Sequence, residues 1–279
     1  MTSFLASLPP SILKKKARTP EQLVTAVKSS IKFVLSANSK KSIYVDVNDN
    51  YNIESSNNSA VKTSEIDSDE RSAEVELDKI SRCLEDIKNV LYGEPSSLLS
   101  SNPVAQFSDG KASELRYKHE EEIIQETSRC LQSSNLILLL IENFSMLPFE
   151  SRKSVALIFN SLMKRDSSLA EYLLQQEHRV AINHLIGGYT DPDIALSCGS
   201  MIRESIRHDS LALYVLNNSE LFDRFFDEFV CLPNFDVASD AFGTLKELLT
   251  TPNNRRIASE FMEEHYERVF VLYEVFWNC

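Results

Sequence analysis

Three segments of the chain begin with a β-branched residue followed by alanine and continue with the same helical pattern. The pairs begin at Val155, Ile194 and Val237, so the copies are 39 and 43 residues apart. After each pair, apolar or small residues return at offsets that lie on one side of an α-helix. The three stripes are Val155, Ala156, Phe159, Leu162 and Met163; Ile194, Ala195, Cys198, Met201 and Ile202; and Val237, Ala238, Ala241, Thr244 and Leu245. A helix cannot bury such a stripe alone, so the pattern indicates stacked units.

The spacing of the stripes indicates which kind of stack they form. A period of about forty residues built from two or three helices is typical of armadillo and HEAT repeats. The chain has only 6 glycines and 9 prolines in 279 residues, and these are the residues that break helices. No stretch shows sustained alternation of apolar and polar residues between hairpin turns. The sequence therefore predicts an all-α, armadillo/HEAT-like helical-repeat solenoid.

Composition divides the chain into four parts. Residues 1–18 contain a cluster of lysines and are predicted to be a basic, disordered N-terminal arm. Residues 19–35 carry an amphipathic pattern that indicates an N-terminal helix. Residues 36–72 are rich in Ser, Asn and Asp, which predicts a disordered insertion. Residues 73–279 are predicted to form the solenoid.

Charge and hydropathy exclude several classes of partner. The net charge of −12 argues against broad binding to nucleic acid, because neutralising phosphates needs a basic surface. The densest apolar run, at 136–141, falls far short of the ~18 residues that span a bilayer, so we expect no membrane insertion. At the N-terminus the short apolar part precedes the basic cluster, which is the reverse of a secretory signal. We predict a cytoplasmic protein.

A search for catalytic and cofactor motifs finds none. The chain lacks the glycine-rich phosphate loops, H-E-x-x-H and G-x-S-x-G. Its histidines do not have metal-ligand spacing and its cysteines form no C-x-x-C pair. We therefore predict that the protein is not an enzyme and has no cofactor and no metal site.

One segment, Asp46 to Asn57, resembles the start of a calcium-binding loop. It has Tyr51 where the loop needs glycine for a sharp turn, and Asn57 where a bidentate glutamate is required. We reject a calcium site there.

Basic side chains recur beside the apolar stripes. This basic ladder consists of Lys164, Arg165, Arg203, Arg207 and Lys246. Stacked helices would align these residues along one side, and solenoids bind partners along such a side. An ordinary solvated face explains the charges equally well. Phe235, at the start of its helix, either anchors a partner or packs back onto its own helix as a hydrophobic staple.

The longest distinctive stretches are "DPDIALSCGSMIRESIRH", "FDVASDAFGTLKELLT" and "EFMEEHYERVF", accompanied by "LYGEP", "FESRKSVALIFNSLMKR" and "LIGGYTDPDIAL". Together they resemble the corresponding stretches of the calcium-binding protein 39 family, the Mo-twenty-five-like scaffolds. The resemblance covers residues 81–272 well and 19–35 more weakly.

The resemblance implies a non-enzymatic scaffold. Members of this family bind sterile-twenty-type kinases, or a pseudokinase–kinase complex, through a concave surface and stabilise the active kinase conformation. By position, the kinase-facing aromatic falls on Phe235, and Arg203, Arg207 and Lys246 border the same face. Calcium binding is not the operative activity of the family, so no calcium is expected.

Two departures from the family pattern affect this expectation. The insertion at 36–72 is longer than the family's loop. The chain also stops at "YEVFWNC", where the family continues for about two further repeat units, so we expect a solenoid truncated at its C-terminus. The missing part carries much of the pocket for a short pseudokinase tail. The alternative function is therefore a general solenoid adaptor for peptides or for cytoskeletal and morphogenesis complexes, without kinase activation.

Overall fold

The computed structural model describes residues 18–50, 59–92, 110–165 and 167–276. Those residues form fourteen α-helices joined by short turns, and no strand occurs among them. The helices are α1 (Pro20–Asn50), α2 (Ser59–Tyr92), α3 (Gly110–Ser133), α4 (Leu136–Glu142), α5 (Phe149–Arg165), α6 (Ser168–Leu174), α7 (Arg179–Gly187), α8 (Ala195–Ser205), α9 (Asp209–Asn217), α10 (Ser219–Phe222), α11 (Arg224–Asp227), α12 (Phe235–Thr250), α13 (Arg255–Glu264) and α14 (Tyr266–Phe276). None of these helices is both long and apolar enough to cross a membrane.

The helices stack in rows. Helices α2, α5, α8 and α12 pack against one another in that order, and we call them the central row. Behind it, α4 packs against α7, α6 against α9, and α9 against α13. The helices of these rows thus contact their equivalents in neighbouring units, as repeat stacking requires. The prediction of an all-α, armadillo/HEAT-like helical-repeat solenoid is confirmed.

The three predicted stripes lie on α5, α8 and α12 and form the inner side of the central row. All their residues are buried except Ile194 and Ala238, which are partly buried. They join one continuous apolar core that also contains a cluster of aromatic rings before α12. The rings belong to Tyr189, Phe222, Phe225, Phe226 and Phe229. Full burial of one large apolar side chain stabilises a fold by roughly 1.5–3 kcal/mol. The shared core therefore holds neighbouring units together.

Helix α1 begins with a capping box. The backbone N–H of Gln22 donates to the Thr19 hydroxyl at 3.3 Å, and the N–H of Thr19 donates to the Gln22 side chain at 3.1 Å. This reciprocal capping box satisfies two amide groups that the helix itself leaves unpaired. The predicted arm at 1–18 lies outside the described residues except for Arg18, whose guanidinium donates to the Cys83 sulfur at 3.0 Å.

The structure differs from the sequence prediction between 36 and 72. Helix α1 continues to Asn50, and α2 begins at Ser59, so helix covers most of the segment predicted to be a disordered insertion. The segment contains no glycine or proline to end a helix, and polar residues continue one readily when its apolar face is packed. Helices α1 and α2 do pack along each other, through buried residues such as Val27, Ile31 and Ile80. Residues 51–58 lie outside the described part of the chain.

Candidate functional site

The outer face of the central row carries large apolar side chains in contact with solvent. On α5, α8 and α12 these are Phe149, Leu157, Leu196, Phe235 and Phe242. They lie on the same helices whose opposite sides are buried in the core. A series of exposed apolar side chains across stacked helices is typical of an interaction surface, so we call these five residues the exposed face.

Phe235 is the most exposed of these side chains, at 80%. It is the first residue of α12, directly after the cap Asn234. The Asn234 side chain accepts hydrogen bonds from the backbone N–H groups of Asp236 at 3.1 Å and Val237 at 3.3 Å. This cap fixes the start of the helix. A staple would place the aromatic before the cap and pack it on the helix, so the staple hypothesis is wrong.

Arg203 has a structural contact that its sequence position does not reveal. Its guanidinium Nη1 donates to the Asp240 carboxylate at 2.7 Å and to the Thr244 hydroxyl at 3.0 Å. The Tyr189 hydroxyl donates to the same carboxylate at 3.0 Å and lies 2.7 Å from the Thr244 hydroxyl. These four residues, the Arg203 cluster, connect α8 to α12. Burial, and then the nearby Asp240 charge, raise the pKa of Tyr189 above its usual range, so its hydroxyl remains a donor.

Gly199 makes the Arg203 cluster possible. It lies on α8 one turn before Arg203, facing α12. A Cβ at this position would overlap the Asp240 carboxylate and approach the Tyr189 hydroxyl to 2.6 Å. Only glycine leaves the carboxylate room against the helix backbone. Sequence reasoning missed Gly199, Tyr189 and Asp240, because their partners lie on other helices.

Three other residues of the basic ladder also have acidic or carbonyl partners. Glu204 is buried between Lys164, at 3.6 Å, and Arg207, at 3.8 Å. Arg165 donates to the carbonyl of Leu91 at 2.9 Å, near the C-terminal end of α2. Opposite charges therefore interrupt the ladder.

The structure brings the predicted partner-binding residues onto two adjacent helices. Arg203 and Arg207 lie on or directly after α8, and Phe235 and Lys246 lie on α12. Arg207 and Lys246 are exposed, whereas the Arg203 side chain is 25% exposed because it faces Asp240. Their role in binding a partner stays a prediction.

A groove of about 460 Å³ separates α8 from α12 on this side. Its lining consists of Leu196, Arg203, Asp236, Ser239, Asp240, Gly243 and Glu247. Three of these side chains are carboxylates and one is a cation. The groove therefore has an excess of negative charge, the opposite of what the basic ladder predicts.

One group of side chains elsewhere could approach a metal ion. Ligand atoms of Glu21, Glu126 and Cys130 lie within 4.8 Å of one another. Glu126 is already paired with Arg129 at 2.9 Å, and burial raises the pKa of the Cys130 thiol, which disfavours the thiolate that binds metal. These residues do not fit a metal centre. Of the rejected calcium loop, the backbone of 46–50 belongs to α1 and 51–57 lie outside the described residues.

The stacked helices and their exposed face define a helical-repeat protein of the armadillo type. A family model described as Mo25-like matches residues 11–277, and the chain belongs to this family. The chain is similar to the human protein "Calcium-binding protein 39-like", with 38% identity over 157 residues that cover 55% of this chain and 45% of the relative. It is also similar to "MO25-like protein 2" of Caenorhabditis elegans, with 34% identity over 213 residues, or 75% of this chain and 55% of the relative.

A fungal relative gives a similar result. The "Mo25-like protein" of Schizosaccharomyces pombe is 31% identical over 160 residues, which cover 56% of this chain and 47% of the relative. The chain thus spans about half the length of the curated relatives it matches.

Proposed function

We propose that this chain is a non-enzymatic, cytoplasmic scaffold that binds a protein kinase or pseudokinase of the sterile-twenty type. The exposed face of the central row is the binding surface, and binding stabilises the active conformation of the kinase. The observation that carries the proposal is Phe235, an aromatic ring left 80% exposed on a capped helix. Family membership supports a scaffold role, and the kinase partner follows from the family resemblance.

Phe235 has the properties of an interface anchor. Aromatic rings that fill a pocket on a partner commonly contribute 2 kcal/mol or more, roughly a thirtyfold change in affinity. The Asn234 cap holds the first turn in place, so less backbone freedom is lost on binding. Phe242 lies two turns further along α12, and Leu196 is exposed on the neighbouring α8.

The Arg203 cluster supports the proposal through geometry. It ties α8 to α12 by hydrogen bonds from Arg203 and Tyr189 to Asp240. The spacing between the two helices is thereby set before a partner arrives. A scaffold shifts a kinase toward its active state only by binding that state more tightly, and a rigid surface discriminates best between two shapes of the same domain.

A capture experiment tests the proposal. The immobilised chain is incubated with purified sterile-twenty-type kinase and pseudokinase domains, and both recovery and kinase activity are measured. We expect Phe235→Ala to weaken capture by about thirtyfold. Phe33→Ala is the matched control, because Phe33 is also exposed, at 44%, but lies on α1.

The outcomes separate the candidate functions. Failure of every kinase and pseudokinase domain to bind rejects the proposal. Equal losses with Phe235→Ala and Phe33→Ala reject the exposed face as the binding surface. Capture that leaves kinase activity unchanged favours the alternative role as a general adaptor.

A further inference from the structure

The chain contains two Thr-Pro dipeptides, and they lie in different structural settings. They are Thr19–Pro20 at the start of α1 and Thr251–Pro252 between α12 and α13. The Thr19 hydroxyl accepts the backbone N–H of Gln22 at 3.3 Å, so it is part of the capping box. In the part of the chain that the structure describes, the Thr251 hydroxyl has no hydrogen-bond partner. Thr251 therefore offers a free hydroxyl directly before a proline.

The turn that carries Thr251 projects from a fixed base. The backbone N–H of Asn254 donates to the Thr251 carbonyl at 2.9 Å, and the buried Asn254 side chain donates to the carbonyl of Ile206 at 2.8 Å. Thr251 is partly buried, whereas Pro252 and Asn253 are exposed. With φ −57° and ψ 134°, Thr251 is extended, which is the conformation that a following proline favours.

This setting meets the requirements of one class of protein kinase. Protein kinases bind the acceptor residue in an extended segment, and proline-directed kinases require the residue after the acceptor to be proline, whose ring fixes φ and lacks an N–H. Thr251 already has this conformation and this neighbour. A longer extended segment forms when the last turn of α12 opens, and helix ends open at low free-energy cost.

Arg255 is suited to bind a phosphate on Thr251. It is exposed and forms no ion pair with any described residue, whereas the adjacent Arg256 pairs with Glu260 at 2.9 Å. The turn reverses the chain within four residues, so the long Arg255 side chain can reach Thr251. A phosphothreonine carries about −1.5 to −2 charges and three acceptor oxygens, which form strong hydrogen bonds with a guanidinium.

We propose that Thr251 is a phosphorylation site for a proline-directed protein kinase and that Arg255 binds the phosphate. In the transfer, the Thr251 hydroxyl oxygen bonds to the γ-phosphorus of ATP, and the bond between this phosphorus and the oxygen of ADP breaks. The hydroxyl proton passes to the catalytic aspartate of the kinase. The products are the phosphothreonine chain and ADP. The site does not depend on the proposed function, because it uses no residue of the exposed face.

Phosphate transfer to the folded chain tests the acceptor. The full chain is incubated with Mg·ATP and, separately, with a purified mitogen-activated protein kinase and a purified cyclin-dependent kinase, and the modified residue is located by mass spectrometry. We expect phosphate on Thr251, its loss in Thr251→Val, and unchanged incorporation in Thr250→Val, the matched control without a following proline. Pro252→Ala removes ring carbons that a hydrophobic pocket binds, and should lower the rate roughly ten- to two-hundredfold.

Two results overturn the assignment of the acceptor. One is the absence of phosphate from Thr251 with both kinases. The other is incorporation at Thr19 equal to that at Thr251, because the two dipeptides would then not differ as their hydrogen bonds require. Circular dichroism spectra that match the wild type show that each variant is folded.

Phosphorus NMR of the phosphorylated chain tests the role of Arg255. The phosphothreonine signal is followed from about pH 4 to 8, because the second pKa of the phosphate is ordinarily near ~6. A guanidinium beside the phosphate lowers this pKa, so Arg255→Gln should move the titration midpoint to higher pH. Arg256→Gln is the matched control and should leave the midpoint unchanged, because Arg256 is already paired with Glu260. Equal midpoints for the wild type and Arg255→Gln overturn the assignment of Arg255.

Discussion

Replacing Gly199 with alanine tests how α8 and α12 are held together. The added Cβ would overlap the Asp240 carboxylate and lie 2.6 Å from the Tyr189 hydroxyl and 3.2 Å from Nη1 of Arg203. All three neighbours belong to the Arg203 cluster, so the new methyl group cannot be accommodated by moving a single free side chain. The substitution must push the helices apart or break hydrogen bonds of the cluster.

The expected loss of stability follows from three terms. Overpacking a close contact costs about 1–3 kcal/mol. Each hydrogen bond lost adds about 0.5–1.5 kcal/mol. Alanine recovers about 1 kcal/mol through its better helix propensity. The free energy of unfolding of Gly199→Ala should therefore fall by about 1–3 kcal/mol.

Gly243→Ala is the matched control, since Gly243 lies on α12 with open space around its Cβ position. The Gly243→Ala variant should keep the gain in helix propensity, and its free energy of unfolding should rise by about 0.5–1 kcal/mol. In a chain of this length 1 kcal/mol corresponds to roughly 2–4 °C in Tm, which thermal unfolding followed by circular dichroism resolves. A Tm for Gly199→Ala equal to or above that of Gly243→Ala would refute the reasoning.

Further predictions address the same region. Tyr189→Phe removes both hydrogen bonds of a buried hydroxyl and should lower the free energy of unfolding by about 1–3 kcal/mol in urea denaturation; an unchanged midpoint contradicts the assigned bonds. Arg203→Ala leaves the Asp240 carboxylate without its cation and should destabilise the protein more than Arg207→Ala does. The Arg207 side chain is 58% exposed, so its removal should lower the free energy of unfolding by no more than about 0.5 kcal/mol. Equal losses for the two variants would contradict the Arg203 cluster. Burial raises the pKa of Cys198 to about 12, whereas an unfolded cysteine titrates near ~8.5. As the pH rises, the thiol therefore loses its proton in the unfolded state first. Between these two pKa values, the difference lowers the free energy of unfolding by about 1.4 kcal/mol per pH unit. Urea titrations from pH 8 to 10.5 should show a smaller decline for Cys198→Ala, and identical slopes would contradict the burial of the thiol.

The apolar stripes could be predicted because they depend on local spacing. An amphipathic helix repeats its buried positions every three or four residues, and the same offsets from Val155, Ile194 and Val237 recur in the sequence. Stacking follows, because such stripes need partners. Once the buried side of each helix is known, the opposite side, which includes Phe235, is expected to face solvent.

The polar contacts between units could not be predicted in the same way. Arg203 and Asp240 are 37 residues apart, and the hydroxyl of Tyr189 reaches Asp240 from a distance of 51 residues along the chain. Such pairs depend on the tilt and separation of packed helices, which periodicity does not determine. The role of Gly199 is hidden for the same reason, since its constraint comes from a side chain on another helix.

The extent of α1 and α2 was also missed from sequence. Ser, Asn and Asp are poor helix formers in isolation, so composition favours an irregular segment at 36–72. In the structure both helices nonetheless extend into this segment, which contains no proline or glycine to end either of them.

In the proposed function, the exposed face of the central row contacts a sterile-twenty-type kinase or pseudokinase. A photoreactive benzoyl-phenylalanine in place of Phe235 tests this contact directly, with the same replacement at Phe33 as the control. We expect a covalent adduct with the kinase domain from position 235 and none from position 33. An adduct from position 33 alone, or equal yields from both positions, would contradict it.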